Sequence, residues 1–116
     1  MYQIITDRDL HLMTVQWRRP FAHAEVAGYA QDFMRRFLSA GFGSGYRLLL
    51  DIAPCGAQPQ DALAELLKHM AQIPKASRIA VVVVIPVARQ QIRRVMTQPY
   101  MRIFDDVPGA RAWIVH

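Results

Sequence analysis

The 116-residue chain has a single cysteine, Cys55, so no intrachain disulfide can form and a stapled secreted framework is excluded. Long apolar runs are missing too. The longest uncharged one, residues 79–88, is broken by Pro86 and falls well short of the ~20 residues that a membrane-spanning helix needs. The opening MYQIITDRD lacks the basic start and apolar stretch of a secretory signal. A soluble cytoplasmic protein is the expectation. Lysine is scarce beside arginine, and the formal charge of +5 comes from arginines scattered along the chain, as at Arg18 and Arg19, Arg35 and Arg36, or Arg93 and Arg94. No stacking aromatics are interleaved with them, so the basic excess reads as a solvated surface and no specific nucleic-acid site is expected.

Catalytic and metal signatures are also wanting. His11, His23, His69 and His116 lie far apart, with no ligand spacing among themselves or with Cys55, so no metal and no cofactor are expected. His69 follows Glu65 by four residues and reads as its surface ion-pair partner on one helix face. No nucleophile elbow, phosphate loop or paired-carboxylate motif occurs. Gly41-Phe42-Gly43-Ser44-Gly45 has the composition of a phosphate loop, but it follows a helix and leads into a strand, which makes it a connector. Cys55 stands between a strand and a helix, as a phosphatase nucleophile would. The arginine such chemistry needs is replaced by Asp61. Asp51 ends a strand like a receiver-domain phosphoacceptor, yet the Ser/Thr and lysine that would accompany it are absent. Its simpler role is to order the following loop through backbone N–H groups. An enzyme is therefore not expected.

What the chain does contain is 53% hydrophobic residues in one domain, residues 1–116, ample for a single core. The segment RLLLDIAPCGAQPQDALAELL organises it. Leu48, Leu49 and Leu50 suit a strand covered on both faces. Pro54, Gly56 and Pro59 break the chain, and a helix starts near Gln58 with Leu63, Leu66, Leu67 and Met70 as its apolar stripe. Before it, residues 2–6 and 10–17 form a hairpin around Asp7-Arg8-Asp9, with His11, Met13, Val15 and Trp17 on one face. Residues 22–40 are helical through Val26, Tyr29, Ala30, Phe33, Phe37 and Leu38, and Gly28 among them implies close packing against a neighbour.

After it, residues 79–85 form a deeply buried strand closed by Pro86. A short helix follows on Ala88, Ile92, Val95 and Met96 with Arg89, Arg93 and Arg94 outward. Residues 100–104 are a last strand, and Asp105 or Asp106 caps a final helix in which Ala112, Trp113 and Ile114 pack inward. The class is α/β: a mixed, mostly parallel sheet of about five strands with an N-terminal antiparallel hairpin and about four helices, in the order β-β-α-β-α-β-α-β-α. In such sheets ligands and partners meet the loops beyond the carboxyl ends of the strands.

The strand ending in Asp51, the loop to Asp61-Ala62-Leu63, the strand RIAVVVV and the ending IFDDVPGARAWI together resemble the STAS domains of sulfate transporters and anti-sigma-factor antagonists. The likeness is strongest to the SpoIIAA-like branch, shared with CRAL-TRIO-type lipid-binding folds, and it spans nearly the whole chain. It implies a regulatory, protein-binding domain without catalysis. The Asp-Ser-Ser-Gly-Leu pattern of the antagonists, which carries their phosphorylatable serine, falls on Pro59-Gln60-Asp61-Ala62-Leu63, where serine is absent. Asp61 is then either a fixed negative charge in place of phosphate or a carboxylate favouring a helix start. The expected contact surface is the loop from Ala53 to Gln60 with Asp51, Cys55, Gln58, Gln60 and Asp61, and the adjacent turns at Pro86 and Asp105, together with Arg89. The alternative is a carrier or sensor of a small apolar or lipid-like ligand between the sheet and helices, lined by Phe33, Phe37, Leu63, Leu67 and Met70. The opening hairpin is a candidate homodimer edge.

Overall fold

The computed structural model describes residues 2–116. Strands β1 (Tyr2–Asp7) and β2 (Leu12–Trp17) pair antiparallel, with Ile4 opposite Val15. Asp7 Oδ1 accepts the Leu10 N–H at 3.1 Å and starts the reversal. His11 takes φ 52° there, so it belongs to the turn and does not join Met13, Val15 and Trp17 on their face. A left-handed residue cannot continue the pleat.

Helix α1 (His23–Ser39) buries Val26, Tyr29, Phe33 and Phe37, the stripe that a period of 3.6 selects. Leu38 lies about 100° round from Phe37 and is 66% exposed, contrary to its expected place in the stripe. Gly28 also faces outward. A Cβ there would meet nothing within 4 Å, so close packing is not what a glycine serves at this position.

Next come β3 (Arg47–Asp51), α2 (Gln60–Gln72), β4 (Arg78–Val82), α3 (Pro86–Val95), β5 (Met101–Phe104) and α4 (Val107–Ile114). The strands lie in the order β1-β2-β3-β4-β5, and β2 to β5 run parallel. β3 is thus the central strand. Each crossover steps one strand in the same direction, and a right-handed connection then puts α1, α2 and α3 on one face. Alternation divides β3 between two cores. Leu48 and Leu50 join the one beneath these three helices, and Leu49 joins Ala80, Val82, Ala110 and Ile114 beneath α4 on the other face.

Because the order never reverses, the sheet has no switch-point crevice of the kind that holds ligands in doubly wound folds. Its carboxyl end instead offers a row of adjacent connections. One of them departs from expectation: β4 stops at Val82, Val84 is half exposed, and Pro86 opens α3 instead of closing the strand. Proline suits the first helical turn, where its missing N–H costs nothing. At the end of the chain Asp106 caps α4, its Oδ1 accepting the Gly109 N–H at 2.8 Å, while Ala110 and Ile114 pack inward. Ala112 faces solvent, contrary to expectation, being two residues from each of them.

Candidate functional site

The connection from β3 to α2 is tied down at both ends. Asp51 Oδ1 accepts the Ala53 N–H at 3.2 Å, the loop-ordering role expected of it. The Ile52 N–H continues the ladder to the Val82 carbonyl at 3.0 Å. Further along, Gln58 Oε1 accepts the Phe21 N–H at 2.9 Å, and Gln91 of α3 bonds both the Gln58 N–H and its carbonyl. The Gln58 Nε2 finds no partner among the described residues. Cys55 is fully buried, and its thiol donates toward the Trp17 carbonyl at 3.4 Å. Burial pushes the thiol pKa up, and the Asp51 carboxylate acts in the same direction. A buried neutral thiol is a poor nucleophile.

Asp51, Cys55 and Gln58 therefore lie beneath the loop and shape it, whereas Gln60 and Asp61 stand exposed on the first turn of α2. Asp61 Oδ1 accepts the Ala62 N–H at 2.8 Å. Arg89 is half buried. Its Nε donates to the Val83 carbonyl at 2.8 Å while its guanidinium pairs with Asp105, joining the β4 and β5 connections. The Pro86 turn belongs to the expected surface, yet its exposed apolar side chains do not follow from the sequence reading: Val84 on the β4–α3 connection and Val87 in the first turn of α3 are 50% and 54% exposed, at the same end of the sheet as Pro54, Gln60 and Asp61. Proline in the first turn of α3 was the signal, since it obliges the chain to leave the sheet before Pro86.

A cavity of about 330 Å³ lies under α1 and α2, on the other side of the loop's supports. Phe33, Leu67 and Met70 line it as expected of a carrier, but Phe37 and Leu63 do not. Phe37 instead packs edge-on against Tyr46, at 4.9 Å between ring centroids, and Leu63 borders only a separate void of about 30 Å³. Tyr46, Lys75 and Tyr100, which precede β3, β4 and β5, place its mouth at the amino end of the parallel strands.

His69 lines this cavity and is 6% exposed, with its ring edge-on to Tyr29 at 5.4 Å and to Phe33 at 5.3 Å. It is not the ion-pair partner of Glu65, which instead meets Lys68 at 3.3 Å and His23 at 3.9 Å. Burial pushes the His69 pKa down to about 4, so the imidazole is neutral at pH 7. Its Nε2 has no hydrogen-bond partner among the described residues, and neither does Gln98 Oε1. Among the described residues the Trp17 Nε1 makes no hydrogen bond of ordinary geometry either, although the Tyr29 hydroxyl lies beside it.

Among the described residues no three His, Cys, Asp or Glu side chains come together as a metal site, and no helix is long and apolar enough to cross a membrane. No protein-family model matches the sequence, and no curated protein matches it. The crystal structure of an anti-sigma factor antagonist from Mycobacterium paratuberculosis does match, with a TM-score of 0.69 over 100% of this chain and 96% of that one, at 11% sequence identity. At that identity the likeness is one of architecture. The chain has the fold of an anti-sigma factor antagonist, the STAS fold, as its strand-Asp and Phe-Asp-Asp segments implied.

Proposed function

We propose that this is a non-catalytic regulatory domain that docks a partner protein on the carboxyl end of its sheet. The observation that carries the reading is the exposure of Val84 and Val87 beside a loop whose backbone is fixed from beneath by Asp51, Gln58 and Gln91. Exposed apolar side chains gain most from being covered, and a fixed loop loses little conformational entropy when a partner covers it. Gln60, Asp61, Asp106 and the Arg89–Asp105 ion pair give the patch a polar rim. A partner with an apolar centre and a polar border fits it. The neighbour in fold is named for antagonising an anti-sigma factor, and the buried neutral Cys55 offers no nucleophile that would argue for turnover. The reduced thiol suits a cytoplasmic setting.

The test compares partners retained from native extract by the wild-type chain with those retained by Val84→Asp/Val87→Asp. A protein held by the first and released by the second supports the reading. Undiminished retention by the double variant contradicts it.

A second reading is favoured by the cavity itself. A space of about 330 Å³ with largely apolar walls is within the range of small-molecule sites, and it suits a carrier or sensor of a small apolar ligand.

A further inference from the structure

We infer that the cavity selects a neutral, largely apolar molecule carrying one hydroxyl, which His69 and Gln98 bind; this rests on the second reading above, and adds the chemistry of the ligand. The walls are supplied by side chains such as Phe33, Leu50 and Met70. Three buried polar atoms of lining residues, His69 Nε2, Gln98 Oε1 and Trp17 Nε1, lack partners of ordinary geometry among the described residues; the Tyr29 hydroxyl lies beside the third, which leaves His69 and Gln98 for a ligand. Leaving such atoms unpaired is costly, and a plain core would fill these positions with apolar side chains. A hydroxyl both donates and accepts, so it satisfies the Gln98 oxygen and serves either tautomer of a neutral imidazole.

An anion does not fit. A carboxylate has no proton for Gln98 Oε1, and within the cavity no cation faces it. Among the described residues of the lining Lys75 alone is charged; it is exposed at the mouth, with its ammonium 5.2 Å from the centre of the Tyr100 ring. The volume sets the size. At about 330 Å³ the space is roughly twice the ~150 Å³ cavity that accepts benzene, enough for two fused rings or a chain of similar bulk. The mouth lies at the opposite end of the sheet from Val84 and Val87, so occupancy by ligand leaves the protein-docking surface free.

Calorimetric titration of the intact chain with 2-naphthol, naphthalene, 2-naphthoate and 1-octanol tests this, with amide chemical shifts locating the site. The expected result is 1:1 binding of 2-naphthol about tenfold tighter than naphthalene, no binding of 2-naphthoate, and shifts at Phe33, His69 and Gln98. His69→Leu should bind naphthol and naphthalene alike and melt a few degrees higher; Gln98→Leu provides the same comparison if the first variant folds poorly. Naphthalene or naphthoate binding as tightly as naphthol overturns the hydroxyl inference and leaves the carrier reading standing. Failure of naphthol, octanol and naphthalene alike to bind overturns both.

Discussion

Gln91 grips Gln58 through both halves of its side-chain amide, donating to the Gln58 carbonyl at 3.0 Å and accepting the Gln58 N–H at 2.8 Å. One residue of α3 thereby fixes the approach to α2, and with it the position of Gln60 and Asp61. Gln91→Leu leaves both backbone groups unpaired in a half-buried place, and is expected to cost about 1–3 kcal/mol. Hydrogen exchange resolves the consequence: amides of residues 53–60 should lose protection more than those of β4.

The buried imidazole of His69 makes stability depend on pH. Its folded pKa of about 4 lies below the ordinary 6.5, so between these values the unfolded chain binds more protons than the folded one. Stability from this residue is full above pH 6.5 and is lost as pH falls toward 4, by up to about 3 kcal/mol. Urea titrations across that window should show the slope in the wild type and lose it in His69→Leu.

Glu25 titrates lower. The Arg19 guanidinium, paired with it at 2.8 Å, and the Ala22 N–H, also at 2.8 Å, hold its carboxyl down at about 2. A depressed carboxylate contributes stability above its unfolded value of 4.5 and loses it as pH falls through 2. In Glu25→Gln the acid limb of a melting-temperature profile should be shallower, with the remaining slope that of the other carboxylates.

Asp61 occupies the place where the antagonist pattern carries serine, and its carboxylate takes the Ala62 N–H at the start of α2. A negative charge there suits the helix macrodipole. Asp61→Ser is therefore expected to lower stability by about 0.3–1 kcal/mol and leave partner affinity within a factor of two. A variant of unchanged stability with altered partner affinity would instead assign the charge to recognition.

The succession of elements was legible because glycine and proline punctuate it and because the apolar periods are distinct. Leu48 to Leu50 are apolar at every position, which only an inner strand needs, and β3 is central. The spacing of His69 to Glu65 points it outward. Yet it also follows Ala62 and Leu66 at intervals of seven and three, the spacing of the buried stripe, and burial of the ring against Tyr29 and Phe33 prevailed. Of the expected stripe Leu63, Leu66, Leu67 and Met70, only Leu66 is buried, and the other three flank it half buried. The exposure of Val84 was hidden in the uniform run IAVVVVI, since apolar composition alone does not say where a strand leaves its sheet. The cavity depends on how far α2 stands from the strands, a distance that no local pattern encodes.

The most direct measurement is hydrogen–deuterium exchange on the chain with and without the partner captured through it. Docking on the carboxyl end of the sheet predicts new protection in residues 53–61 and 83–87 and none in β1. Protection confined to β1 and the opening hairpin, with the Val84 and Val87 segment unchanged, would contradict it.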